Sequence, residues 1–140
     1  MKECAKEFIE FLKSRGFEIR VKEEEKLTIV GFISKIDEEK KVFFTIVFDE
    51  EDYKILIQGA KFLPGGIKEE RKPFVLEAMN IANDTGINYK YVTRDDEIII
   101  EGYYLIRILD NFNINMLIRI IAEMQDRIKS DYEIFMKVMN

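Results

Sequence analysis

The residues able to carry chemistry in this chain are few, and none stands where a reaction needs it. There is no histidine and one cysteine, Cys4. Imidazole acid/base catalysis, His/Cys zinc sites, c-type haem attachment and an internal disulfide are thereby excluded. Cys4 sits near the start of an expected helix, whose dipole lowers a thiol pKa. With no base to pair with, it reads as inert. Ser14, Ser34 and Ser130 have no G-x-S-x-G context. Carboxylates cluster at 23–25, 37–39, 49–52 and 95–97. Such groups can bind calcium or work as acid and base, but Asp49-Glu50-Glu51-Asp52 lacks the alternating spacing and central glycine of a calcium loop. All four clusters fall where the chain must turn, and they read as solvated turns.

Leu63-Pro64-Gly65-Gly66-Ile67 precedes a helix but matches neither glycine-rich phosphate-binding pattern, so it reads as a chain reversal. Lys68, Arg71 and Lys72 make a small basic patch that Glu69 and Glu70 dilute. Glu101 and Arg107, within one strand, suit a salt bridge. Asn80 and Asn83 are poor helix formers: Asn83 suits the helix end and Asn80 a bond to backbone at a strand end. No catalytic residue, metal site or cofactor is expected, and we expect no enzyme.

The elements that would have to position a site are clearer. The chain of 140 residues is 47% hydrophobic with 2 Pro and 7 Gly, which suits one compact domain over 1–140. Ala5, Phe8, Ile9 and Leu12 give residues 2–15 a helical stripe, and Gly16 follows where a left-handed residue ends a helix. The period then changes to two. Strands are expected over 17–22, 27–34, 42–49 and 53–62, separated by charged turns.

A second helix starts near Arg71 or Lys72, because Pro73 fits only a first turn, and closes at Asp84-Thr85-Gly86. Its inner stripe is Val75, Leu76, Met79 and Ala82. Strands over 87–93 and 97–106 follow, joined by the tight turn Arg94-Asp95-Asp96, then a long amphipathic helix over 113–139. The expected fold is α+β: an antiparallel sheet of five to six strands with three helices on one face, in the order α-β-β-β-β-α-β-β-α.

Alternation sorts the strand residues into two faces. Val42, Phe44, Ile46 and Phe48, with Ile19, Ile98 and Ile100, are assigned to the helix side. The other face takes Val30, Phe32, Phe43, Val47, Leu56, Ile99, Tyr103 and Leu105, mixed with Thr28, Thr45, Gln58 and Glu101. A solvated sheet face is mostly polar, and three helices cover one side only. This second face is therefore expected to meet a partner through Phe32, Phe43, Val47, Leu56 and Tyr103. The competing expectation is a regulatory small-molecule pocket lined by Tyr89, Tyr91 and Glu101.

The segment Val75-Leu76-Glu77-Ala78-Met79-Asn80-Ile81-Ala82-Asn83, followed by a hairpin and a long C-terminal helix, resembles the YbjN-type domain. That family resembles the type III secretion chaperone-like fold, with the same element order over nearly the whole chain. The resemblance implies a small, acidic, dimeric protein without catalytic residues. Chaperones of that fold hold an extended segment of a client on apolar surfaces.

A net charge of −5 and pI near 5.0 argue against a nucleic-acid partner. The charged first fifteen residues do not read as a secretory signal, and no apolar stretch approaches the ~20 residues of a membrane span. With its lone cysteine the chain is expected to be cytoplasmic and to pair with itself.

Overall fold

The structure, a computed structural model, describes residues 2–51, 53–84, 89–106 and 112–140. Helix α1 spans Lys2–Ser14. Gly16, at φ +82°, ends it: the Phe17 N–H donates to the Leu12 carbonyl and the Gly16 N–H to the Lys13 carbonyl, each at 3.0 Å. That pair of hydrogen bonds is the Schellman closure, and it turns the chain into the first strand.

Strands β1 (Ile19–Glu23), β2 (Leu27–Lys35), β3 (Lys41–Asp49) and β4 (Lys54–Ala60) form an antiparallel meander. A single 3₁₀ turn, Glu69–Arg71, leads into α2 (Lys72–Asn83), which carries Pro73 in its first turn and has no side-chain cap. Strands β5 (Tyr89–Arg94) and β6 (Glu97–Leu105) form a hairpin, and α3 (Ile114–Met139) completes the chain. Asn113 caps α3, its side-chain oxygen accepting the Asn115 N–H at 3.0 Å. Thr85, Gly86 and Ile87, expected at the end of α2 and the start of β5, lie outside the described residues, as does Arg107.

The six strands order as β1-β2-β3-β4-β6-β5, and the helices gather on one side. This is the expected α+β fold and element order. The core lies between. Phe8 of α1 sits over Phe32 and Phe48 at 6.0 and 5.9 Å between ring centroids, and Phe32 stacks on Phe44 at 5.5 Å. From α3, Leu117, Met124 and Ile128 are fully buried. Helix α2 packs on α3 and β5 through Val75, Ala78 and Met79, which leaves Leu76 49% exposed and outside the expected inner stripe.

Backbone conformation marks two constraints. Gly59 lies on the helix side of β4, where an added Cβ would come within 2.9 Å of Ile100 and 3.2 Å of Phe44. The β5–β6 hairpin turns at Asp95 and Asp96, both left-handed at φ 50° and 59°, the geometry of a two-residue type I′ turn. Asp is tolerated there but glycine fits without strain. Asp96→Gly is therefore expected to stabilise the fold by about 0.5 kcal/mol, read as a rise in the denaturant midpoint at constant slope.

Candidate partner-binding face

Strand register decides which side chains share the face away from the helices. Ile29, Val47, Leu56 and Tyr103 stand directly opposite one another across β2, β3, β4 and β6. The next row is Arg20, Gly31, Thr45, Gln58 and Glu101, and the third is Ile33, Phe43 and Ala60, continued at the same level by Ile99 and Val92. Two apolar rows thus flank a polar one. No helix covers them: Ile33 and Tyr103 are 53% and 52% exposed, and Phe43, Val47 and Leu56 are half-buried by their neighbours alone.

Four of the five residues expected to meet a partner, Phe43, Val47, Leu56 and Tyr103, therefore lie together on the open face. Phe32 does not. It is 4% exposed, packed among Phe8, Phe17 and Phe44, and Val30 and Thr28 share its helix-side orientation. The reason is register: Phe32 pairs with Phe44 and Val30 with Ile46, so the even-numbered residues of both strands face the same way. The residues this exchange brings to the open face are Leu27, Ile29 and Ile33.

Within the polar row the groups satisfy one another. Gln58 Nε2 donates to Glu101 Oε1 at 2.7 Å, and Arg94 donates to the same oxygen through Nε at 3.1 Å and Nη2 at 2.8 Å. Arg94 is opposite Glu97 in the ladder, so its side chain must reach past the Val92–Ile99 pair to meet Glu101. This explains how Ile99 stays 6% exposed on a face that no helix covers. The Phe43 ring lies over Gly31, where an added Cβ would meet it at 3.4 Å. A cleft of about 700 Å³ opens beside this ring at the end of β1, with Arg15, Arg20 and Lys35 on its walls.

The residues expected to line a small-molecule pocket do not converge. Glu101 pairs with Lys90 and faces outward with it, whereas Tyr89 and Tyr91 point to the helix side. Tyr91 is a core residue. Its hydroxyl donates to Asp131 Oδ2 at 2.9 Å, Arg127 Nε donates to the same oxygen at 3.0 Å, and Phe135 meets its ring edge-on at 4.8 Å. Burial, reinforced by the Asp131 carboxylate, holds its phenol protonated far above the ordinary range.

Asn83, rather than Asn80, is the one that reaches strand backbone. Its Nδ2 donates to the Tyr91 carbonyl at 3.0 Å and its Oδ1 accepts the Tyr91 N–H at 2.8 Å, on the side of β5 away from β6. The carboxylate clusters build turns: Asp37 accepts the Glu39 and Lys40 N–H groups at 2.9 Å each, and Asp49 accepts that of Glu51 at 3.0 Å. The Glu39 amide hydrogen bond, with Lys40 beside it, holds the Asp37 carboxyl below its usual range. Burial pushes the Cys4 thiol up, away from the reactive thiolate.

A second apolar depression, about 350 Å³, lies between α2 and α3, where Phe74, Ile81 and Ile134 are exposed. Among the described residues no three Cys, Asp or Glu side chains form a metal-holding group, and no helix is long and apolar enough to cross a membrane. The chain matches no protein-family model, no curated protein and no solved structure.

Proposed function

We propose that this chain is a non-enzymatic protein-interaction domain that pairs with a second copy of itself through the open face of its sheet. The carrying observation is the pair of apolar rows, Ile29-Val47-Leu56-Tyr103 and Ile33-Phe43-Ala60, that flank the Gly31–Thr45–Gln58 row with no helix over them. Apolar area left in water on this scale is stabilised by a second surface. The element order, which resembles that of YbjN-type and secretion-chaperone-like domains, supports the same reading, and an extended segment of a client protein is the other occupant that likeness suggests. A reducing, cytoplasmic setting suits a chain whose one cysteine is Cys4.

The expected result in size-exclusion chromatography with light scattering is a particle of twice the 16.6 kDa chain mass at tens of micromolar. A particle of single-chain mass throughout that range would remove the proposal.

A further inference from the structure

The open face is self-complementary along the strands. On β3, its outward residues in order are Lys41, Phe43, Thr45, Val47 and Asp49: basic, apolar, polar, apolar, acidic. Reversed end for end, that series meets itself with apolar against apolar and lysine against aspartate. β2 repeats the pattern about Gly31, with Ile29 and Ile33 on either side, and β4 about Gln58, with Leu56 and Ala60. The centres of these three series, Gly31, Thr45 and Gln58, are direct cross-strand neighbours.

We infer that two copies meet open face to open face about a two-fold axis running across the strands along the Gly31–Thr45–Gln58 row. This rests on the proposal that the open face is the self-association surface, and it fixes which of the possible pairings is used. The contact is isologous: the Phe43 row of each copy packs on the Val47 row of the other, and Lys41 of each faces Asp49 of the other. The side chains in the axial row are small or already paired. Thr45 and Gln58 meet their own copies, and Glu101 arrives neutralised by Arg94 at 2.8 Å. Arg20 meets its counterpart at the sheet edge, where solvent screens the like charges.

Charge selects this axis. Among the described residues neither Lys35 nor Lys41 has an ion-pair partner, although the two stand directly opposite each other in the β2–β3 ladder. Like charges so placed repel unless a counter-charge is supplied. An axis along the strands between β3 and β4 leaves Lys41 facing no carboxylate and sets Asp49 against Lys54, its neighbour already within one copy. The size also fits. Four strands about 4.8 Å apart, with outward rows about 6.7 Å apart, outline a flat area of about 600 Å² before side-chain relief, close to the ~800 Å² per partner of a standard interface.

The test is a charge exchange read by native mass spectrometry and sedimentation. Lys41→Asp and Asp49→Lys should each weaken the dimer about tenfold or more, since each sets like charges together twice per dimer. Mixed, the two variants should form the heterodimer in preference to either homodimer, and the double variant should recover the wild-type constant. Because Asp49 also accepts the Glu51 N–H, Glu51→Lys on the same turn provides a second partner for Lys41→Asp should Asp49→Lys fold poorly. A wild-type dimer indifferent to both single changes, with random mixing, overturns the inference while leaving self-association through the face intact. A wild-type monomer overturns both.

Discussion

Replacing Phe32 with alanine is expected to destabilise the fold by about 3–5 kcal/mol, the usual cost of removing a buried aromatic ring from a core. The ring is the hub of an aromatic cluster, with Phe17 and Phe44 each 5.5 Å away and Phe8 at 6.0 Å. The surrounding rings do not readily collapse into the space, because β3 holds Phe44 in direct register with position 32. For a domain of this size the loss corresponds to a fall of roughly 10 °C or more in the melting temperature. Differential scanning calorimetry checks it. A Phe32→Ala protein that melts normally but fails to self-associate would mean that the ring faces outward.

Leu56→Arg is expected to do the converse. The residue sits mid-strand in the apolar row, between Val47 and Tyr103, so a guanidinium there would be buried in the contact between two copies without a counter-charge. Self-association should weaken by about 2–4 kcal/mol, roughly 30- to 700-fold. The isolated subunit should lose much less, about 1 kcal/mol, because no helix covers that position and only flanking strand side chains pack on it. Sedimentation gives the first quantity and denaturation of the monomeric variant gives the second. Unaltered association would place the contact elsewhere, with the depression between α2 and α3 the next surface to vary.

The two substitutions separate residues that periodicity alone placed on one face, and the reason lies in β2. Its sequence, Leu27-Thr28-Ile29-Val30-Gly31-Phe32-Ile33, is apolar in both parities, so alternation does not choose between Val30-Phe32 and Ile29-Ile33. The choice is made by the turn that follows. Lys35 pairs with Lys41, and any hairpin closed there matches even residues with even ones, so Phe32 must join Phe44 on the helix side. Turn length is poorly marked in Lys35-Ile36-Asp37-Glu38-Glu39-Lys40-Lys41, since every charged residue suits any position of a solvated loop.

Where polar residues punctuate one parity, as Lys54 and Gln58 do in β4 and Lys41, Thr45 and Asp49 do in β3, the face was legible. Element order was legible throughout, because glycines, Pro73 and the charged turns punctuate the chain. The ion network from Gln58 through Glu101 to Arg94 was not. It joins three strands, and single-strand patterns cannot foretell a contact whose geometry depends on cross-strand register.

The Asn83 side chain, holding both backbone groups of Tyr91, has a consequence for growth into larger assemblies. Sheets propagate into filaments only when both margins of each subunit can accept another strand. Here Asn83 already holds the Tyr91 N–H and carbonyl at the β5 margin, so a strand added there must first displace that amide. Lateral extension of the sheet is thereby disfavoured at that end.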